Sequence, residues 1–122
     1  DHLIELKNSK VKFTPEDVIF THKMPDGKIV FLEKGYQKAK KGAGLEHIYY
    51  RHLNDFSRKS ISKEEIPDVL MQAVSQNGEN IVGKAGTANV YEIVHNGKKQ
   101  HIAIDIGSNG YIVRANPVSS WK

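Results

Sequence analysis

The chain has 122 residues, which suits one domain whose core is large enough to need no covalent crosslinks. It contains no cysteine, which excludes disulfides and thiolate metal sites and fits a reducing compartment. The formal net charge of +4 favours partners that carry phosphate.

No apolar run in the chain approaches membrane-spanning length, and nothing at its start has the pattern of a signal sequence. The first residue is Asp1, so we expect a domain cut from a longer protein. Residues 1–122 are predicted to form this single domain, with residues 1–12 as a flexible lead-in.

Two β-rich segments follow, at residues 17–21 and 28–33. Between them lies Met24-Pro25-Asp26-Gly27, in which proline presets a turn and glycine accepts positive φ. This pattern predicts an N-terminal hairpin.

Residues 34–44 are rich in lysine and glycine, a composition typical of a mobile, charged loop. Two interpretations are open for this loop. It is either a solvated linker or a flap that grips phosphate, in which case Lys40 and Lys41 are candidate substrate-binding residues.

Residues 44–56 are predicted to form a helix with two different stripes. One stripe is mostly apolar: Leu45, Ile48, Tyr49, His52 and Phe56. The other stripe is polar: His47, Tyr50, Arg51 and Asn54. His47 and Arg51 are one turn apart and can reach the same anion, whereas His52 is rotated away. Chemistry that uses both histidines must therefore lie at an edge of the helix.

A second helix is predicted over residues 66–76. Ser62 and Glu65 have the spacing of a capping box, an apolar stripe follows, and Asn77-Gly78 ends the helix.

Four strands are predicted in the last third of the chain, at residues 80–83, 89–95, 99–106 and 111–115. Asn96-Gly97 and Asn109-Gly110 have the composition of tight turns between antiparallel strands. The fold class is therefore α+β, with the N-terminal hairpin followed by two helices packed on a four-stranded antiparallel meander.

The six histidines lack the spacing of a metal site, and no nucleophile elbow or nucleotide-binding loop is present. We therefore expect no metal and no cofactor. The remaining chemistry is general acid-base cleavage of RNA, in which imidazoles move protons and Arg51 holds phosphate. Thr87, Tyr111 and the tail containing Ser119 could complete such a pocket, and Tyr50 could stack on a base.

Other interpretations of the same residues are open. His52 could be a core histidine, and Arg51 could form a surface salt bridge with Asp55. The domain could be a non-catalytic module that binds nucleic acid or protein, or a deoxyribonuclease, which normally needs metal ligands.

The order of several motifs resembles C-terminal toxin domains of bacterial polymorphic or contact-dependent inhibition systems. The most specific motifs are His47-Ile48-x-x-Arg51-His52 and Ser108-Asn109-Gly110-Tyr111-Ile112-Val113, within a resemblance that spans residues 13–117. Such domains belong to the barnase/EndoU/colicin/RelE-like (BECR) ribonuclease superfamily, whose fold is helices followed by an antiparallel meander.

The resemblance implies a toxin fragment exported as part of a larger cell-surface or secreted effector and acting in the cytoplasm of a neighbouring bacterium. It implies metal-independent cleavage of RNA, with tRNA as the favoured class. It also implies a cognate immunity protein and allows a host accessory factor. His47, Arg51 and His52 match its helix motif. Thr87 and Ser119 match hydroxyl positions near the sheet, and Lys84 is the candidate for a lysine that some relatives use.

Overall fold

The computed structural model describes residues 15–38 and 41–121, except for the side chains of Pro15, Gln37 and Lys41. The expected lead-in at residues 1–12 lies outside this part of the chain. Short 3₁₀ turns at Pro15–Asp17 and Lys63–Glu65 precede the first strand and the second helix. The other elements, in chain order, are β1 (Val18–Lys23), β2 (Ile29–Glu33), β3 (Tyr36–Lys38), β4 (Lys41–Ala43), α1 (Gly44–Arg58), α2 (Ile66–Val74), β5 (Ile81–Ala85), β6 (Ala88–His95), β7 (Lys98–Ile106) and β8 (Ile112–Pro117).

β1 and β2 are antiparallel neighbours joined by a turn at residues 24–27. The Gly27 N–H donates to the Met24 carbonyl oxygen across 2.9 Å, with φ of Gly27 at +93°. All five residues of β2 are buried, with Val30 and Leu32 in the main core and Phe31 in a smaller cluster beside Tyr111. β2 is therefore covered on both of its faces.

The described residues of the lysine- and glycine-rich segment, for which a mobile, charged loop was predicted, include two short strands. β3 and β4 within it pair as a short antiparallel ribbon. Gly35 lies so close to the Ala43 carbonyl group that a Cβ there would overlap the carbonyl oxygen. A glycine-rich sequence usually indicates a loop. Here the missing Cβ of Gly35 instead allows the backbones of two segments to come into close contact.

The last four strands form one sheet in the order β5-β6-β7-β8, with every neighbouring pair antiparallel. The turn between β6 and β7 uses Asn96 and Gly97, both at positive φ, as a tight turn with this composition requires. The predicted α+β class with a four-stranded antiparallel sheet is confirmed.

Both helices cover the same face of this sheet. Leu45, Ile48 and Phe56 of α1 pack in one core with Ile102 and Ile104 of β7. The core also contains the buried residues of α2: Ile66, Val69, Leu70, Ala73 and Val74. α1 lies against β8, whereas α2 lies against β6. In the described part of the chain, neither helix has the length and apolar character needed to cross a bilayer.

Glu65 ties the start of α2 to the end of β6. Its Oε1 accepts bonds from the backbone N–H and hydroxyl of Ser62 at 3.0 and 2.8 Å. Its Oε2 lies 2.8 Å from His95 Nε2 and 3.2 Å from Asn96 Nδ2. The Ser62 backbone and hydroxyl bonds, followed by those of His95 and Asn96, lower the pKa of Glu65 from 4.5 to about 2.

We expect Glu65 to make unfolding depend on pH in acid. A carboxyl group whose pKa is lowered by folding stabilises the native state above its unfolded pKa and loses that effect as pH falls. Wild-type stability should therefore drop between about pH 4.5 and about pH 2, as measured by urea unfolding. Glu65→Gln should remove much of this drop, and Glu64→Gln, which changes the adjacent charge, should retain it. Equal pH dependence in Glu65→Gln and wild type would contradict this assignment.

Candidate active site

The first turn of α1 is fixed against β2 and β8. Gly44 begins the helix at φ +79°, and a Cβ at this position would lie 2.7 Å from the Tyr111 hydroxyl and 2.9 Å from the Glu33 carbonyl oxygen. The Glu46 N–H donates to the Lys34 carbonyl oxygen at 2.8 Å. These contacts set the position of His47, one residue further along.

His47, Arg51 and His52 lie together in a depression of about 400 Å³. Its lining also includes parts of the β3–β4 ribbon and of β8, which both contact α1. The described residues that line it are Tyr36, Gly42, His47, Arg51, His52, Val113 and Arg114. The three helix residues selected from the sequence therefore converge on one site.

His47 and His52 reach this depression although they lie on different stripes of α1. They are five positions apart, so their Cα atoms are about 140° apart around a helix of 3.6 residues per turn. The depression consequently extends across an edge of α1. His52 has 21% of its side chain exposed and is not sealed in the core, which was the alternative left open by the apolar stripe.

Asp55 holds His52, not Arg51. His52 Nδ1 lies 2.9 Å from Asp55 Oδ2, and the Arg58 guanidinium lies 3.5 Å from Asp55 Oδ1. The alternative Arg51–Asp55 salt bridge is not formed. Within residues 15–38 and 41–121, Arg51 has no ion-pair partner. Its guanidinium group is thus available for an anion in the depression.

Arg114 brings a second guanidinium group to the site from β8. Its Nε donates to Asp105 Oδ2 at 3.1 Å, so its two terminal amino groups are left for a ligand. Arg114 is 58% exposed, whereas Asp105 is 22% exposed. The partly buried carboxylate therefore anchors an arginine whose outer end lines the depression. The sequence analysis missed this residue.

The environment of His47 favours the neutral imidazole. Burial is the main cause that lowers its pKa from 6.5, and the positive charges of Arg51, His52 and Arg114 lower it further. A neutral imidazole can accept a proton, and the guanidinium groups beside it attract an anion. The depression can therefore bind an anion and remove a proton from it.

Tyr36 supplies an aromatic ring at the rim of the depression. It lies on β3 and is 56% exposed, which is a large exposed fraction for an aromatic residue. The sequence analysis missed Tyr36 because it falls in the segment predicted to be an irregular loop. The aromatic residue selected instead, Tyr50, is exposed on α1 but is not among the lining residues.

Three other predicted site residues lie away from this depression. Thr87 is exposed in the turn between β5 and β6, and Ser119 lies 3.4 Å from Lys59 Nζ. Lys84 lines a separate depression of about 690 Å³ together with Ala85, Gly86, Ser120 and Trp121. The structure does not bring any of these three side chains to His47.

Tyr111, predicted to complete the pocket, does not line the depression and instead packs beside it. Its ring contacts Phe31 edge-on at a centroid distance of 5.5 Å, and its hydroxyl lies against Gly44. Burial, followed by the charges of Glu33, Tyr36 and Asp17, raises its pKa to about 12. Lys40 lies outside the described residues, and the side chain of Lys41 also does.

His95 on β6 and His101 on β7 are half-buried and bonded to glutamates. His95 Nε2 lies 2.8 Å from Glu65, and His101 Nε2 lies 3.1 Å from Glu92. The His101 ring also lies 4.5 Å from the Trp121 ring. No group of three or more potential metal ligands occurs among the residues that the structure describes.

Comparison of the chain with models of known protein families and with curated protein sequences found no match.

Proposed function

We propose that this domain is a metal-independent endoribonuclease whose active site is the depression lined by His47, Arg51, His52 and Arg114. The observation that carries the proposal is the convergence of two imidazoles and two guanidinium groups in one depression of about 400 Å³. Imidazoles exchange protons near neutral pH, and guanidinium groups bind phosphate oxygens in pairs.

Cleavage of RNA by its own 2′-hydroxyl needs these groups and no others. A base removes the 2′-hydroxyl proton, the oxygen attacks the adjacent phosphorus, and an acid protonates the departing 5′-oxygen. Cations stabilise the negative charge that builds up on the phosphoryl oxygens. In this proposal the histidines serve as the base and the acid, while Arg51 and Arg114 bind the phosphate.

Tyr36 supports RNA as the ligand. An exposed aromatic ring at the rim of a cationic site offers a stacking face for an unpaired base, and stacking is worth about 1–3 kcal/mol per base. Tyr36 therefore replaces Tyr50 as the proposed base-stacking residue.

The biological setting in the proposal comes from the motif resemblance. We propose that the β1–β2 pair, the helices and the meander form a BECR-like toxin fold, with tRNA as the favoured substrate. The domain would be exported as part of a larger effector and would act in the cytoplasm of a target bacterium. A cognate immunity protein with an acidic surface would cover the cationic depression.

The test is incubation of the domain with total tRNA in the presence of a chelator, followed by analysis of the fragment ends. We expect fragments that end in 2′,3′-cyclic phosphate and begin with a 5′-hydroxyl. RNA binding that weakens with salt but gives no fragments would instead identify a non-catalytic binding module. Cleavage that the chelator abolishes would contradict the metal-independent mechanism. If purified domain proves inactive, the assay is repeated in target-cell extract to supply a host accessory factor.

We expect Arg51→Ala to lower kcat/KM for RNA cleavage by about ten- to one-hundredfold, because a hydrogen bond to a charged group contributes about 1.5–3 kcal/mol. Arg51→Lys should recover part of the loss, since it restores charge but not the planar fork. Lys98→Ala, which removes the same charge from an exposed position at the start of β7, should cleave at the wild-type rate. Equal losses in Arg51→Ala and Lys98→Ala would indicate a general charge effect only.

A further inference from the structure

A second depression, of about 690 Å³, lies where the chain turns from β5 to β6. Its lining comes from this turn and from the tail that follows β8: Lys84, Ala85, Gly86, Ser120 and Trp121. The volume of this Trp121 depression is within the roughly 300–1,000 Å³ of sites that hold small organic groups. It therefore has room for a nucleotide, and it shares no lining residue with the His47 depression.

The ring of Trp121 is held against the sheet. The Val118 N–H donates to the His101 carbonyl oxygen at 2.9 Å, which ties the tail to β7. The Trp121 ring lies on the His101 ring, with 4.5 Å between the centroids and 33° between the planes. His101 thus covers one face of the indole, while the half-buried ring also lines the depression. An aromatic ring fixed in the wall of a depression offers a surface on which a base can stack.

Lys84 brings a positive charge to the same depression. Its side chain is exposed, and it has no ion-pair partner in the part of the chain that the structure describes. A Cβ at Gly86 would have no atom within 4 Å, so the backbone of the turn beside Lys84 is open to a ligand. An unpaired ammonium group next to a stacking surface matches a nucleotide, which joins an anionic phosphate to a planar base.

The strand register places the Trp121 depression at the same end of the sheet as Arg114. Lys84 pairs with Asn89 of β6. Asn89 pairs with Ile104 of β7, which pairs with Ala115 of β8. Lys84 and Ala115 therefore lie in one row across four strands, about 14 Å apart at a spacing of about 4.8 Å per strand. Arg114 precedes Ala115 and lines the His47 depression, so a few nucleotides of one RNA strand can reach both sites.

Building on the proposed ribonuclease function, we propose that the Trp121 depression binds a nucleotide of the same RNA strand that is cleaved in the His47 depression. The base of this nucleotide stacks on Trp121, and its phosphate binds Lys84. A base that is paired within a helix cannot stack on a protein ring, so the substrate class is RNA with an unpaired segment of several nucleotides.

The first test is tryptophan fluorescence, which reports Trp121 alone because the chain has a single tryptophan. The probe is a single-stranded RNA of about twelve nucleotides, within the range of known single-strand sites. Its 2′-O-methyl groups replace the 2′-hydroxyl protons that the proposed cleavage needs. We expect this RNA to quench the fluorescence. The same RNA annealed to its complement should leave the fluorescence unchanged, because its bases are paired.

Trp121→Ala should weaken binding of the single-stranded probe by about 5- to 150-fold, the effect of losing one stacked base. Trp121→Phe keeps an aromatic face and should retain most of the affinity. Tyr50→Ala is the matched control, since it removes an exposed aromatic ring that lines neither depression, and it should bind as wild type does. Fluorescence anisotropy of labelled probe measures the three affinities.

Lys84→Ala should also weaken binding of the probe, and it should lower the slope of log affinity against log salt by about 0.7, the value for one phosphate contact on a single strand. Lys98→Ala is the matched control, because Lys98 pairs with His95 at the opposite end of the sheet, and its slope should equal that of wild type. With cleavable RNA, Lys84→Ala and Trp121→Ala should raise KM for the long strand and leave kcat unchanged. Cleavage of a dinucleotide, which is too short to reach both depressions, should be unaffected.

The outcomes separate this inference from the proposed ribonuclease function. Probe that binds without quenching tryptophan, and equally to wild type and Trp121→Ala, would overturn the second site and leave the ribonuclease function in place. Quenching without cleavage of unmodified RNA would contradict the ribonuclease function and leave the binding site in place. An equal loss of cleavage on the long strand and the dinucleotide in Trp121→Ala would make Trp121 a structural residue, and thermal unfolding checks that each variant is folded.

Discussion

His47→Ala should lower kcat/KM for RNA cleavage by about 10²–10⁴-fold, the contribution typical of a general acid or base. The ring is half-buried in the wall of the depression and lies in the first turn of α1, which Tyr111 and β2 fix in place. Removal of the imidazole therefore deletes the proton acceptor without removing a main core residue. The measurement is single-turnover cleavage of tRNA by protein whose unfolding curve matches that of wild type.

The matched control for His47→Ala is His22→Ala. His22 lies on β1 and bonds to Asn77 across 2.8 Å, and it is not among the residues that line the depression. It should cleave tRNA at the wild-type rate. Similar losses in the two variants would mean that histidine replacement disturbs the fold and would remove the support for His47 as a catalytic residue.

The pH dependence of cleavage provides a second expected result at His47. Because its pKa is lowered from 6.5, the neutral form should persist as pH falls to 6.5, and the acidic limb of kcat/KM should lie below that value. Arg114→Met removes one of the positive charges that lower the pKa, so the acidic limb should move to higher pH. An unmoved limb in Arg114→Met would mean that another group controls it.

The helix of the site could be predicted because the pattern that indicates it lies within one short stretch of sequence. A 3.6-residue period placed His47 and Arg51 on one stripe and Leu45, Ile48 and Phe56 on another, and the last three are buried. The four strands were recognisable for the same reason, since alternation and Asn-Gly turns occur within a few residues of each other.

The partners of that helix could not be predicted, because they depend on which strand lies beside α1. Arg114 reaches the depression through the contact of α1 with β8 and through its bond to Asp105 on β7. The register of β7 and β8 shifts between Asp105 and Ile106, which changes side-chain directions along this pair. A single sequence does not specify such a shift.

Thr87, Ser119 and Lys84 were predicted to belong to the site, but they do not line the depression. Thr87 and Ser119 were selected as hydroxyl groups that could complete the pocket, and all three residues were also matched to positions in the nucleases that the motifs resemble. A hydroxyl or an amine can occupy many surface positions at little cost, so its residue type says little about its location. Lys84 lies in a separate depression because β5 is at the opposite edge of the sheet from β8, the strand against which α1 packs.

Gly110→Ala should destabilise the domain more than any other glycine replacement in a turn of the four-stranded sheet. Gly110 is buried at φ +92°, its carbonyl oxygen accepts a bond from the Phe31 N–H at 2.9 Å, and a Cβ there would overlap the Ile29 carbonyl oxygen. The left-handed conformation costs about 1–2 kcal/mol for a residue with a Cβ. The overlap adds about 1–3 kcal/mol, because backbone atoms of β2 must move.

Gly97→Ala separates these two costs. Gly97 has φ +78°, but a Cβ there would have no atom within 4 Å, so only the conformational cost of about 1–2 kcal/mol applies. Urea unfolding of both variants gives the free energy of unfolding of each. Equal losses would show that the contact of β2 with the β7–β8 turn contributes nothing to stability.

Gly110→Ala should also change the geometry of the depression around His47. Tyr111 follows Gly110 directly, and its hydroxyl lies against Gly44, where α1 begins. If β2 must move to admit a Cβ at residue 110, the first turn of α1 loses part of its support, and the separation of His47 from Arg114 changes. We therefore expect folded Gly110→Ala protein, assayed below its unfolding midpoint, to cleave tRNA more slowly than Gly97→Ala. Loss of stability with full activity would place the support of the first turn in Glu33 and Lys34 instead of Tyr111.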